Sequence, residues 1–97
     1  MPVMMMMDWA GVTPEQYDAA RRIVDFEGNV PKGGLFHVAA FSDGSLHVTD
    51  VWERAEDFQA FVEQRLMPGV QQAGIAGEPK VNVVPAHNVF TPGYVRR

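Results

Sequence analysis

The sequence predicts an α+β fold in which a four-stranded antiparallel sheet carries two helices on one face. Strand-like and helical segments follow one another in the order βαββαβ, and short turns join the antiparallel neighbours. The 97 residues suffice for one hydrophobic core, so residues 1–97 are expected to form a single domain. This order of elements favours a ferredoxin-like arrangement.

The first strand and the first helix have clear local signals. Val3 to Trp9 is almost entirely apolar, which predicts a buried strand. Thr13 is a good N-cap, Pro14 suits the first helical position, and Gln16 completes a capping box. The apolar face of this helix is predicted to hold Tyr17, Ala20, Ile23 and Val24.

A hairpin follows the loop EGNVPKGG. Asp43-Gly44 is a strong turn pair, so Ser42 should face Ser45, and paired residue numbers should sum to 87. A four-residue loop from Ser42 to Ser45 gives the same pairing, whereas an odd-length loop would break it.

The second helix is predicted from Ala55 to Met67, with apolar residues at helical spacing. Pro68 should kink it or start a short continuation that Gly74 ends. The segment KVNVVPAHNVF, residues 80–90, is predicted to be the last strand.

Composition excludes several classes of function. The net charge is -4 and the eight Lys and Arg residues are scattered, which argues against a nucleic-acid partner. The absence of cysteine removes disulfides, thiolate catalysis and Cys-based zinc sites, and it fits a reducing cytoplasm. The apolar segment MPVMMMMDWAG is too short to span a bilayer, so no membrane partner is expected.

Both faces of the predicted hairpin are substantially apolar, yet two helices cover only one face of a sheet. The uncovered face would be a larger apolar patch than soluble monomers usually expose. A homodimer packed sheet against sheet is therefore expected, with Phe36, Val38 and Val51 in its interface. His47 lies on this face, near the hairpin tip.

Several short motifs resemble a known family. The pattern HVA, a DG turn, DVWE, FxxFxxxRLMP and a final HN is similar to small actinobacterial-type members of the dimeric α+β barrel superfamily. That superfamily includes antibiotic-biosynthesis monooxygenase-like and stress-responsive barrel proteins. The resemblance covers Val3 to Phe90 and implies a homodimeric α+β barrel with a ligand pocket between each sheet and its own helices.

The resemblance leaves the activity open, because such relatives include cofactor-free monooxygenases, isomerases, cyclases, haem-degrading enzymes and proteins of unknown role. Haem degradation would need an axial histidine on the second helix, and Ala55 to Met67 contains none. No phosphate-binding Gly loop is present either. No cofactor is therefore expected.

The hairpin register predicts a catalytic pair. His37 and Asp50 sum to 87, so they should lie directly opposite each other with Cβ atoms about 4.5–5.5 Å apart. Such a carboxylate can orient an imidazole as a general base. Trp52 should pair with Leu35 and lie diagonally next to His37.

Other candidate substrate-binding residues surround this pair. Sheet topology brings the end of the last strand to the same edge, which places His87 there, and Phe58 and Phe61 should roof the site. Tyr17 and Arg65 lie on apolar helix faces, where each could instead pack in the core. The predicted substrate-binding residues are Trp52, His87, Tyr17, Phe58, Phe61 and Arg65.

The best-supported function is a cofactor-independent monooxygenase, isomerase or cyclase that acts on a hydrophobic or aromatic metabolite. The alternative is a non-catalytic ligand-binding or stress-related protein of the same fold, in which the His37–Asp50 pair only fixes strand register. These two residues and His87 could also be written as a metal triad. Because the pairing directs Asp50 at the imidazole, no metal is predicted.

Overall fold

The computed structural model describes residues 1–94 and has the predicted βαββαβ order. No helix among the described residues is long and apolar enough to cross a membrane. A π-helical turn (Val62–Leu66) joins the second and third α-helices, and a short 3-10 turn (Pro92–Tyr94) follows the last strand. The strands and α-helices are β1 (Val3–Ala10), α1 (Pro14–Val24), β2 (Gly34–Ser42), β3 (Ser45–Trp52), α2 (Ala55–Phe61), α3 (Met67–Gln72) and β4 (Lys80–Pro85).

The sheet has the order β2-β3-β1-β4, and all neighbours are antiparallel. Side chains alternate between its two faces, and the helices cover one of them. The core on that face contains Met5, Met7 and Trp9 of β1, with Leu46, Val48 and Trp52 of β3. On the other face none of Met4, Met6, Phe36, Val38 and Val51 is buried, so the structure leaves an apolar sheet face uncovered.

Helix α1 begins as the sequence predicts. The Thr13 hydroxyl accepts from the Gln16 backbone N–H at 3.1 Å, and the Gln16 side-chain oxygen accepts from the Thr13 backbone N–H at 3.1 Å. This capping box satisfies two N–H groups that have no partner within the helix. Ala20 and Val24 are buried as expected, but Ile23 is 40% exposed. The buried face of α1 is therefore narrower than the sequence predicts.

The hairpin register is confirmed over most of its length. Asp43 and Gly44 both have positive φ, 52° and 73°, as a tight two-residue hairpin turn requires. Ser42 therefore pairs with Ser45, and His37 with Asp50.

The register shifts at the start of β2. Gly34 pairs with Trp52 and Phe36 pairs with Val51, so a bulge at Leu35 replaces the predicted Leu35–Trp52 pair. A Cβ built on Gly34 would lie 3.3 Å from both the Cγ atom and the carbonyl oxygen of Pro31, so the glycine allows the preceding loop to pack closely on the start of the strand.

The second helical region continues past Pro68 to Gln72, as the predicted short continuation ending at Gly74 requires, and a π-helical turn joins its two parts. The Met67 N–H donates to the Val62 carbonyl, five residues back, just before Pro68. Proline has no N–H for an α-helical bond, and the looser turn precedes it. Gly69 allows close packing on α1, since a Cβ there would lie 2.5 Å from Val24 Cγ2.

The last strand is shorter than the predicted 80–90. Strand β4 ends at Pro85, whose ring removes a ladder donor. The next pairing is a single bond from the Ala86 N–H to the Pro2 carbonyl at 2.9 Å. His87 therefore lies in an exposed bend beyond the sheet.

Candidate functional site

A cavity of about 540 Å³ lies between the helix-covered face of the sheet and the helices. Its size is within the range of small-molecule sites. Most lining side chains are apolar, and the polar groups collect on one wall. The β1 and β3 lining residues are Met5, Met7, Trp9, Leu46, Val48, Asp50 and Trp52, and the helical ones include Tyr17, Ala20, Arg21, Val24, Phe58, Phe61, Leu66 and Val70.

The predicted histidine–aspartate pair forms part of this wall. His37 Nδ1 lies 2.6 Å from Asp50 Oδ1, with 8% of the Asp50 side chain and 32% of the His37 side chain exposed. Adjacent antiparallel strands hold the two residues in direct register. An aspartate carboxylate can only accept, so Nδ1–H donates to it.

Trp52 completes the surroundings of Asp50. Its indole Nε1–H donates to Asp50 Oδ2 at 3.1 Å, so each oxygen of the buried carboxylate accepts one hydrogen bond. Trp52 and Asp50 are two residues apart on one strand and therefore face the same way. The indole contributes to the site by positioning the carboxylate.

Tyr17 occupies the other nitrogen of His37. The hydroxyl oxygen lies 2.7 Å from His37 Nε2, and the two rings stack with an interplanar angle of 2°. Phe26, in the loop after α1, packs against the imidazole with ring centroids 4.9 Å apart. In the neutral imidazole, Nδ1 carries the hydrogen and Nε2 accepts from the tyrosine O–H.

The electrostatics keep this tyrosine protonated. Burial raises the pKa of Tyr17 above its ordinary value of 10.0, and the Arg21 guanidinium opposes this. The carboxylates of Glu27, Asp50 and Asp18 raise the pKa further. At neutral pH the hydroxyl is therefore a hydrogen-bond donor to His37.

An ion pair borders the cavity beside Tyr17. Arg21 Nε and Nη2 donate to the two carboxylate oxygens of Glu27 at 2.7 and 2.8 Å. This bond raises the pKa of Arg21 and lowers the pKa of Glu27, so both groups stay charged. It ties the loop after α1 to the helix.

Phe58 and Phe61 lie where the sequence predicts. Their rings contact Trp52, with centroids 5.6 and 5.3 Å from the indole, and both line the cavity. They cover the end of the site at which β3 meets α2.

Two predicted binding residues lie elsewhere. Arg65 does not line the cavity. Its Nη2 donates to the carbonyls of Val24 and Asp25 at 2.8 and 3.3 Å, which caps the C-terminus of α1. His87 is exposed after the early end of β4 and does not line the cavity. The His37, Asp50 and His87 metal triad is therefore not assembled, and within residues 1–94 no three His, Asp or Glu side chains cluster to hold a metal ion.

Sequence reasoning missed Phe26, Arg21 and Glu27 as residues of this wall. Phe26 and Glu27 belong to a loop with no periodic pattern, and nothing local shows that the loop folds back over His37. The bond from Trp52 to Asp50 had a usable signal, because the two residues are separated by two positions on one strand. The assembled wall contains an imidazole, a carboxylate hydrogen-bonded to it and a hydroxyl, which are groups that can transfer protons.

No family model matches the sequence, and no curated protein sequence is recognisably similar to it. Solved structures are similar. SnoaB, a cofactor-independent oxygenase from Streptomyces nogalater, superposes with a TM-score of 0.67 at 16% identity, over 91% of this chain and 95% of that chain. Rv0793 from Mycobacterium tuberculosis gives 0.64 at 14%, over 92% and 98%.

A candidate antibiotic biosynthesis monooxygenase from Nitrosomonas europaea superposes with a TM-score of 0.67 at 11% identity, over 89% of this chain and 90% of that chain. The TM-scores establish a shared fold, and the shared fold covers nearly the whole chain. The protein therefore has the ferredoxin-like α+β fold that its motifs indicate, and it shares this fold with SnoaB, Rv0793 and the candidate antibiotic biosynthesis monooxygenase.

Proposed function

We propose that the protein binds a small hydrophobic or aromatic molecule in this cavity and that His37, oriented by Asp50, removes a proton from it without a cofactor. One observation carries the proposal: the His37–Asp50 pair lies on the wall of an apolar cavity of about 540 Å³. A few convergent polar groups in an apolar enclosure are typical of small-molecule sites.

The pair is suited to act as a base. Asp50 accepts the Nδ1–H bond, so the neutral imidazole presents its lone pair at Nε2. When Nε2 takes a proton, the adjacent carboxylate stabilises the resulting imidazolium. Trp52 holds the second oxygen of that carboxylate, which limits its rotation away from His37.

Loss of a proton would leave the bound molecule as an electron-rich anion. Such an anion can react with molecular oxygen, isomerise or cyclise. SnoaB is a cofactor-independent oxygenase, so the fold is compatible with chemistry of this kind. The identity of the substrate determines which of the three reactions follows.

A second candidate function is ligand binding without catalysis, and one contact favours it. Tyr17 already occupies Nε2 of His37, so in the free protein the base has no open lone pair. With both ring nitrogens of His37 hydrogen-bonded within the protein, the His37–Asp50 pair would have a structural role: it would fix the hairpin register and form part of the cavity wall.

The uncovered sheet face is the proposed homodimer contact. Phe36, Val38 and Val51 share that face, and Val38 is 47% exposed in the single chain. Two copies packed face to face would remove these side chains from water and leave one cavity per subunit.

Binding is tested with N-phenyl-1-naphthylamine, an uncharged dye that fluoresces in apolar sites. The wild-type protein should enhance its fluorescence, and Ala20→Phe, which fills the cavity from α1, should abolish the enhancement. Ala19→Phe is the matched control, because Ala19 is the preceding residue and does not line the cavity. Equal dye binding by both variants would place the dye elsewhere and refute a ligand cavity.

Proton removal is tested with 4-nitrophenol, whose anion is coloured. Bound to the wild type, it should ionise at a lower pH than free in solution, and His37→Asn should remove this shift while binding persists. His47→Asn is the control, since His47 has a similar aspartate partner on the other face of the sheet. A shift that survives His37→Asn would exclude His37 as the base.

A further inference from the structure

We infer that Tyr17 is a catalytic residue that relays the proton to His37, and that the substrate is an oxygen acid, a phenol or an enol. This inference rests on the proposed function and narrows its substrate class. It assigns the tyrosine a role beyond that of a binding contact.

The proposed relay follows from the groups that are hydrogen-bonded to the two ring nitrogens of His37. His37 Nδ1 is occupied by Asp50, and Nε2 is occupied by the Tyr17 hydroxyl at 2.7 Å. A molecule in the cavity therefore meets the tyrosine oxygen before it meets the histidine. That oxygen makes no other hydrogen bond among the described residues, so its lone pairs are free to accept from a ligand.

Packing opposes the alternative in which Tyr17 swings aside. Its ring lies parallel to the imidazole at a centroid distance of 6.2 Å and meets Phe41 edge-on at 6.1 Å. The residue belongs to the capped first half of α1. Displacing the ring would break the edge-on contact with Phe41 and the bond to Nε2 together.

The proton transfer balances without any further reactant. The substrate hydroxyl gives its proton to Tyr17 Oη while the tyrosine gives its own proton to His37 Nε2. Tyr17 ends neutral, as it began. The products are the substrate oxyanion and an imidazolium beside the Asp50 carboxylate.

The surrounding charges fit this direction of transfer. Arg21 lies one helical turn after Tyr17 on the cavity wall, where its guanidinium is paired with the Glu27 carboxylate. Burial raises the pKa of Tyr17, Arg21 opposes this, and the carboxylates of Glu27, Asp50 and Asp18 raise the pKa further. These influences keep Tyr17 neutral, as its role as a relay requires.

The relay also selects the class of acid. Proton transfer through a hydroxyl needs a real hydrogen bond from the substrate to the tyrosine oxygen. An O–H group forms one, whereas a C–H group makes only a weak contact. Phenols and enols therefore fit the site, and carbon acids such as ketones do not.

The test compares wild type and Tyr17→Phe with two probes that differ only in the substituent on one oxygen. 4-Nitrophenol carries the hydroxyl, and 4-nitroanisole has a methyl ether in its place. Wild type should bind the phenol more tightly than the ether, and Tyr17→Phe should bind both equally. The ionisation shift of bound 4-nitrophenol should fall by about one pH unit in Tyr17→Phe, a tenfold change in its ionisation constant.

The outcomes separate this inference from the function on which it rests. A shift that persists or grows in Tyr17→Phe but disappears in His37→Asn would keep the base and overturn the relay. Equal binding of the two probes by wild type would also overturn it, and that result does not depend on the variant folding. Faster deuterium exchange at the α-carbon of 2-tetralone with wild type would overturn the substrate class. A 4-nitrophenol shift unaffected by His37→Asn would refute the proposed function itself.

Discussion

Two histidine–aspartate pairs lie on opposite faces of the same sheet, and they differ in what surrounds them. His37–Asp50 faces the cavity, with an Nδ1 to Oδ1 distance of 2.6 Å. His47–Asp8 lies on the uncovered face, with a corresponding distance of 2.5 Å. The Asp50 side chain is 8% exposed and that of Asp8 is 61% exposed. Nearly identical pair geometry therefore occurs in very different solvent environments.

The group that contacts Nε2 determines which protonation state of each imidazole is favoured. His47 Nε2 lies 3.3 Å from the Ser42 carbonyl, which can only accept, so both ring nitrogens of His47 act as donors. The bonds to Asp8 and to that carbonyl raise the pKa of His47 above 6.5. His37 instead faces a hydroxyl, which can donate, so its neutral form is fully hydrogen-bonded. The carbonyl at Nε2 therefore favours the imidazolium form of His47, whereas the hydroxyl at Nε2 allows His37 to be neutral and to act as a base.

The largest effect is expected from breaking the uncovered face. Val38→Asp places a charge in the middle of the proposed sheet-to-sheet contact, so it should give monomers or insoluble protein where wild type is a dimer. Val30→Asp is the control, because Val30 is an exposed valine in the loop after α1. Size-exclusion chromatography with light scattering distinguishes the species. A stable wild-type monomer would show that this face needs no partner.

Removing each carboxylate tests the difference in burial. Asp50→Ala leaves the Trp52 N–H without its acceptor in a buried position. The free energy of unfolding should fall by about 2–3 kcal/mol, as for other buried groups that lose a partner. Asp8→Ala should cost much less, since water replaces its bond to His47. Urea unfolding measures the free energy of unfolding of both variants. Equal losses would contradict the claim that burial makes the His37–Asp50 pair more important to stability than the His47–Asp8 pair.

Asp50→Asn sharpens the comparison without opening the core. The Asn carbonyl can still accept from Trp52, and its NH₂ group would donate to His37 Nδ1. The neutral imidazole should then carry its hydrogen on Nε2, facing Tyr17, and the 4-nitrophenol shift should be lost. Long-range ¹H–¹⁵N correlation spectra report the tautomer. A variant that unfolds would instead mark the pair as structural.

The smallest effect concerns His47. Its folded pKa is raised above 6.5, so its bond to Asp8 stabilises the protein fully below the unfolded pKa. That contribution is lost as the pH rises through the folded value. Asp8→Asn should lower the titration midpoint of His47 in NMR spectra. It should also destabilise the protein at about pH 5.5 and have little effect at about pH 8.5. A loss that is equal at both pH values would exclude this linkage.

Local rules were enough to predict the scaffold of the site. The capping box at Thr13 and the Asp43-Gly44 turn depend on residues a few positions apart, so the sequence specifies them directly. An even-length turn fixes which residues pair, and the His37–Asp50 bond follows from it. The prediction failed at Leu35, where a bulge between Gly34 and Phe36 shifts the register in a way that no pairing rule anticipates.

By itself the sequence determined the order of elements, the helix start, the hairpin register beyond Leu35 and the sheet face that His37 and Asp50 share, because these follow from contacts between near neighbours or from strand alternation. Only the tertiary structure decided that Tyr17 reaches Nε2, that Arg65 caps α1 and that His87 stays outside the cavity. Each of these depends on how helices and chain ends dock across long sequence separations. Packing of whole side-chain surfaces sets that docking, and no local pattern encodes it.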